Sequence, residues 1–162
     1  MKVLARARWP EAQDRNLPQV PGFVLSSFNP LVAAAADRCL RRRFGDPPVP
    51  ADVGERTAVI VVSGSGDAVS AEHVARAVDA GARVGPLFFF QSVPNSIAGH
   101  LAARWGLAGP VVCLCPTGDP MADGLAEAGL LIEDGDADRA LVVLVEQSEV
   151  DESSAVLVAE GT

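Results

Sequence analysis

Cysteine, histidine and serine are the side chains of this chain that could attack a carbonyl or relay a proton, and their spacing narrows what they can do. Cys113 and Cys115 stand two apart in an apolar run, so in a strand they point to one face and Leu114 to the other. A thiol there becomes a nucleophile only where a base, a positive charge or a helix N-terminus lowers its pKa. Neither has a base nearby in sequence, so small hydrophobes in a packed strand is the competing reading. His73 and His100 are too few and too far apart for a metal site, and Ser63, Ser65, Ser92 and Ser96 do not form a GxSxG turn. The run Ser63-Gly64-Ser65-Gly66-Asp67 invites a phosphate-loop reading but lacks both GxGxxG and GK[ST]. Nothing in these patterns requires a cofactor or a metal.

Composition limits the classes further. The 162 residues suffice for one domain with a real core, and 49% hydrophobic content with 5% aromatics describes an interior rich in Ala, Val and Leu. A formal net charge of −8 disfavours nucleic acid as a partner. Against that background Arg38, Arg41, Arg42 and Arg43 form the one basic concentration, either a solvated helix face or a dock for an acidic partner. An odd count of three cysteines suits a reducing compartment. No run is long and apolar enough for a signal peptide or a membrane span, so the expectation is a soluble cytoplasmic protein.

The elements that would position these residues alternate along the chain. Residues 1–28 read as an arm or loop, with Val3 to Ala5 as a short strand at most, because prolines follow. Asn29-Pro30 offers an N-cap and first-turn proline for a helix over 31–44. After a proline-rich loop, residues 57–63 are continuously apolar and β-branched, which predicts a strand covered on both faces. Ser70 would cap a helix carrying Ala71, Val74, Ala75 and Val78 at helical spacing. Residues 85–91 read as an apolar connection, 95–105 as a helix ended by Gly106, and 110–115 as a buried strand. Asp119 and Pro120 open a helix over 121–134. Strands over 139–146 and 155–159 follow. Strands alternating with helices predict an α/β fold with a mixed, mostly parallel sheet and helices on both faces.

Two patterns in the second half go beyond periodicity. Pro94, Asn95, Ala98, Gly99, His100, Ala102, Arg104, Gly106, Leu107, Gly109 and Pro110 keep the run PNxxAGHxAxRxGLxGP, and Gly135-Asp136-Ala137-Asp138 keeps GDAD. The chain resembles the amino-terminal half of β-ketoacyl synthases, of the thiolase superfamily, from about residue 29 to its end. The resemblance implies a single thiolase-like half over 29–162, and the family's catalytic histidines, which lie in its second half, have no counterparts here. Counted from either pattern, the position of the family's nucleophilic cysteine is Gly118. The resemblance therefore implies a fold whose decisive residue cannot form a covalent intermediate, similar to chain-length factors, which also lack the cysteine.

That resemblance implies a non-catalytic partner subunit in fatty-acid or polyketide biosynthesis, assembling with itself or a ketosynthase-like protein. Arg38, Arg41, Arg42 and Arg43 would then face an acyl carrier protein. Phe88, Phe89, Phe90, Asn95 and His100 would lie near an interface or pocket. Met121 and Leu125 belong to a helix apolar around most of its circumference, a surface large enough to drive association if left uncovered. The alternative is a small acyltransferase or thioesterase-like enzyme using Cys115 or Cys113, with Asp119 as an acid/base candidate.

Overall fold

The most apolar stretches of the chain are its strands, and they set the architecture. The computed structural model describes residues 1–161. β2 (Thr57–Val62) is buried at all six positions because it lies inside the sheet with a layer on either face. Its neighbours are β3 (Val111–Leu114) and β4 (Arg139–Glu146), both parallel to it. β5 (Glu152–Ala159) returns antiparallel to β4, and β1 (Lys2–Trp9) closes the row antiparallel to β5. The order is β1-β5-β4-β2-β3, so β1 and β3 are the two edges.

Side-chain alternation sends each strand's residues into two separate cores. Val59, Val61, Leu141, Val143 and Leu157 meet one face, where α1 (Phe28–Phe44) and α5 (Pro94–Trp105) bring Leu31, Cys39, Ile97 and Trp105. Ala58, Ile60, Val62, Val142 and Val156 meet the other, covered by α6 (Pro120–Glu133). The predicted fold is the observed one. The helix α6 lies close to the sheet because Gly124 has no side chain: a Cβ there would stand 2.6 Å from Val142 Cγ1 and 2.9 Å from Val62 Cγ2.

The amino-terminal strand runs eight residues where three were expected. Ala7 and Trp9 are buried while Arg6 and Arg8 are exposed, the alternation of a half-buried edge strand. The arginines of α1 secure it. Arg38 donates to the Arg8 carbonyl at 2.7 Å and to both carboxylate oxygens of Asp14 at 2.8 Å. Arg42 donates to the Arg6 carbonyl at 2.7 Å and to Glu11. The bond from Arg38 holds the Asp14 carboxyl below its usual range. At Glu11 partial burial opposes the same shift, but the bond from Arg42 and the charges of Arg38 and Arg42 outweigh it.

Local details also differ from expectation. The helix α1 begins at Phe28, so Asn29 lies inside its first turn, where it is buried and donates to the Gln91 carbonyl at 2.9 Å instead of capping. The cap of α3 (Ala68–Asp79) is Asp67, three residues before the expected Ser70. Its carboxylate accepts from the Ser70 N–H at 3.0 Å and the Ser70 hydroxyl at 2.7 Å, and Ser26 donates to it from the loop before α1. The proline-rich loop contains the short α2 (Ala51–Gly54), and the apolar connection coils into α4 (Pro86–Gln91).

Two outcomes follow from this packing. Gly124→Val forces methyl groups into two buried valines and should lower stability by about 1–3 kcal/mol, read as a fall in Tm of about 2–4 °C per kcal/mol. Arg38→Ala should speed tryptic cleavage after the exposed Arg15. Because the folded-state pKa values of Asp14 and Glu11 are depressed, their stabilisation is complete above their unfolded values, near pH 4, and is lost as pH falls through the folded values. The gap in urea midpoint between wild type and Arg38→Ala should therefore be present at pH 7 and shrink below about pH 4.

Candidate functional site

The turn between β3 and α6 holds the position that a nucleophile would occupy. Asp119 caps the helix as expected, its Oδ1 accepting from the Ala122 N–H at 2.7 Å. Gly118 precedes it with no side chain. Packing does not demand glycine there, since the nearest atom to an added Cβ is Asp123 Oδ1 at 4.0 Å. The fold would accept a larger residue.

A second closure is visible only in the structure. Asp123 Oδ2 accepts from the Thr117 N–H at 2.6 Å and the Gly118 N–H at 3.0 Å, with the Thr117 hydroxyl at 3.3 Å. These amides are the donors that could otherwise receive a developing oxyanion at the mouth of the helix. The bonds from Thr117 and Gly118 hold the Asp123 carboxyl below its usual range. The sequence signal was a carboxylate in the first turn of a helix, which favours the dipole wherever it occurs and does not reveal that it folds back on the preceding turn.

The two cysteines sit in different surroundings. Cys113 is half-buried against the first core, and burial pushes its thiol pKa up. Cys115, past the end of β3, is exposed, with Sγ 3.7 Å from the Gly64 carbonyl and 3.9 Å from that of Pro116. Both line a cleft of about 280 Å³ with Ser63, Ser65 and Pro94. The Glu146 carboxylate accepts from the Gly64 N–H at 2.6 Å and the Ser65 hydroxyl at 3.0 Å. The glycine run is thus tied to a side chain of its own chain. Cys39 is fully buried, and burial pushes its thiol up to about 11.

The remaining candidates occupy separate places. Phe88 is half-buried against His73, with ring centroids 4.7 Å apart. Phe89 and Phe90 are each 67% exposed, and Asn95 is exposed in the first turn of α5. His100 meets the edge of Phe23 on the α1 side. Met121 and Leu125 lie across the sheet, half-buried in the second core. Of the four arginines, Arg38 and Arg42 are committed to the amino-terminal segment, Arg41 pairs with Asp46 and lies over Trp105, and Arg43 lies over Phe44. No group of three or more His, Cys, Asp or Glu side chains among the described residues could hold a metal ion.

Iodoacetamide should accordingly modify Cys115 first, Cys113 more slowly and Cys39 only on unfolding, as resolved by peptide mass spectrometry. Asp123→Ala should speed hydrogen exchange at the Thr117 and Gly118 amides and leave the β4 amides unchanged.

Relatives place this geometry. The β-ketoacyl synthase N-terminal domain model matches residues 48–153. No curated protein matches the chain in sequence. Among solved structures, a chain of the ketosynthase ApeO in complex with its chain length factor ApeC, from Xenorhabdus doucetiae, superposes with TM-score 0.75 at 19% identity. The match covers 99% of this chain and 79% of that one. The ishigamide ketosynthase/chain length factor gives 0.73 at 20% identity over 93% of this chain and 48% of that one. A β-ketoacyl synthase of Burkholderia phymatum STM815 gives 0.71 at 14% identity over 94% and 47%. The chain thus spans about half the length of the latter two, and at these identities the likeness establishes the thiolase-like fold. With the family pattern matched over most of its length, the chain belongs to the β-ketoacyl synthase N-terminal domain family.

Proposed function

We propose that the protein is a non-catalytic, ketosynthase-like partner subunit of fatty-acid or polyketide biosynthesis in the cytoplasm. The carrying observation is the turn at Gly118, which has no nucleophile and whose amides are taken by Asp123. A condensing enzyme needs a thiolate and free oxyanion donors at one place. Here both are missing from that place, while the fold around them is kept.

A partner role is supported by what the surface leaves unprotected. Sheet edges invite pairing unless guarded by charge or covered. β1 carries the exposed Lys2, Arg6 and Arg8, whereas β3 is Val-Val-Cys-Leu with Val111 43% exposed. The Pro110 and Leu114 carbonyls accept from the Val59 and Ser63 amides, so the alternation of a parallel ladder turns the Val111 and Cys113 amides outward. The helix α4 adds Leu87, Phe89 and Phe90, all largely exposed. On the opposite face, only Gly124 and Ala128 of α6 are fully buried, and Leu130 is 56% exposed. Apolar surface of this kind marks contact with another protein. The occupant in this reading is a ketosynthase-like protein or a second copy, with Arg41 and Arg43 left on the surface for an acidic carrier protein.

Purified with a ketosynthase of the same pathway, the wild type should give a complex of fixed stoichiometry by native mass spectrometry. Val111→Lys, which guards β3, should abolish it while leaving the fold intact by circular dichroism. A wild-type chain that stays monomeric alone and with the ketosynthase would contradict the assignment.

A further inference from the structure

A cavity of about 700 Å³ lies away from the Gly118 turn, between α1, α5 and the segment before α1. One wall is apolar, formed by Val20, Pro21, Ala33 and Ala34. The other carries Arg41 from α1 with His100 and Arg104 from α5. The two arginines are each held by a neighbouring residue, Asp37 or Trp105. Asp37 accepts from the Trp105 indole at 2.5 Å and pairs with Arg104 Nε at 3.3 Å, and Arg41 lies over the Trp105 ring with its guanidinium carbon 5.8 Å from the centroid.

The donor inventory sets the class of ligand. Asp37 engages Arg104 through Nε, and neither Nη atom of Arg104 has a hydrogen-bond partner among the described residues. Arg41 spends Nη1 on Asp46, whose side chain is 88% exposed, so that pair is readily exchanged. His100 makes an edge contact with Phe23 and has no side-chain hydrogen bond among the described residues. Two guanidinium groups and an imidazole therefore line a ligand-sized groove in a chain whose net charge is −8. Among the described residues the Asp37 carboxylate is the one acid lining it, and its charge is offset by Arg104. Arg38 and Arg42 also reach the groove but are spent on Asp14 and Glu11.

The geometry points to this groove as a binding site for a small organic phosphate monoester. The phosphate would be received by Arg41 and Arg104, and the organic part would lie against the Val20–Ala34 wall. Planar guanidinium forks match phosphate oxygens in pairs. The apolar wall distinguishes the site from one for a bare inorganic ion. The site shares Arg41 with the proposed carrier-protein surface, but none of its residues belongs to the turn or to β3, so Arg104→Gln tests it apart from the partner role.

Phenyl phosphate is a suitable probe, followed by amide chemical shifts in the full chain. Saturable shifts are expected at Ala34, His100 and Arg104, with Arg41→Gln and Arg104→Gln each weakening binding by roughly tenfold, as loss of a charged hydrogen bond does. Arg83→Gln, an exposed arginine outside the groove, should bind as wild type, and benzyl alcohol should cause no saturable shift. Absence of saturation, an equal response to benzyl alcohol, or affinity unchanged in both groove variants would overturn the assignment.

Discussion

The contact of Gly124 with Val62 and Val142 is the constraint from which the site follows. A helix crossing a sheet at ordinary distance would place its first turn wherever loop length allowed. Here the missing side chain lets α6 settle directly on two central strands, so its amino-terminal turn is fixed relative to the end of β3. Asp123, the residue before this contact, is thereby held against the Thr117 and Gly118 amides. Packing on the sheet and closure of the turn are one arrangement.

The two edges of the sheet are treated differently by the same chain. β1 is clasped from α1 by Arg38 and Arg42, whose bonds to its carbonyls satisfy groups that an edge would otherwise present to solvent. Its exposed arginines discourage a further strand. β3 has neither device. That asymmetry concentrates the unprotected backbone on one side.

Much of this was legible in the sequence where burial is two-sided. β2 and β4 read as apolar runs because both faces are covered, and the turn with Gly118 stood out because the family pattern brackets it. β1 was harder to read. It is buried on one face only, and its Ala5-Arg6-Ala7-Arg8-Trp9 alternation was masked by the prolines that follow. The caps at Asn29 and Ser70 were misread because each is a good local candidate, while tertiary partners, the Gln91 carbonyl and Ser26, decide the register. Asp123 could not be found by spacing alone, since its role depends on where α6 rests. The separation of Met121 and Leu125 from Phe89 and Phe90 by the whole sheet likewise follows from topology rather than from composition.

The central claim is that this member of a condensing-enzyme family cannot form an acyl-enzyme. Intact-mass spectrometry of the purified protein after incubation with an acyl-pantetheine thioester tests it most directly. The account predicts an unchanged mass for the wild type. A stoichiometric acyl adduct that disappears in Cys115→Ala or Cys113→Ala would contradict it and make the protein a small thioester enzyme.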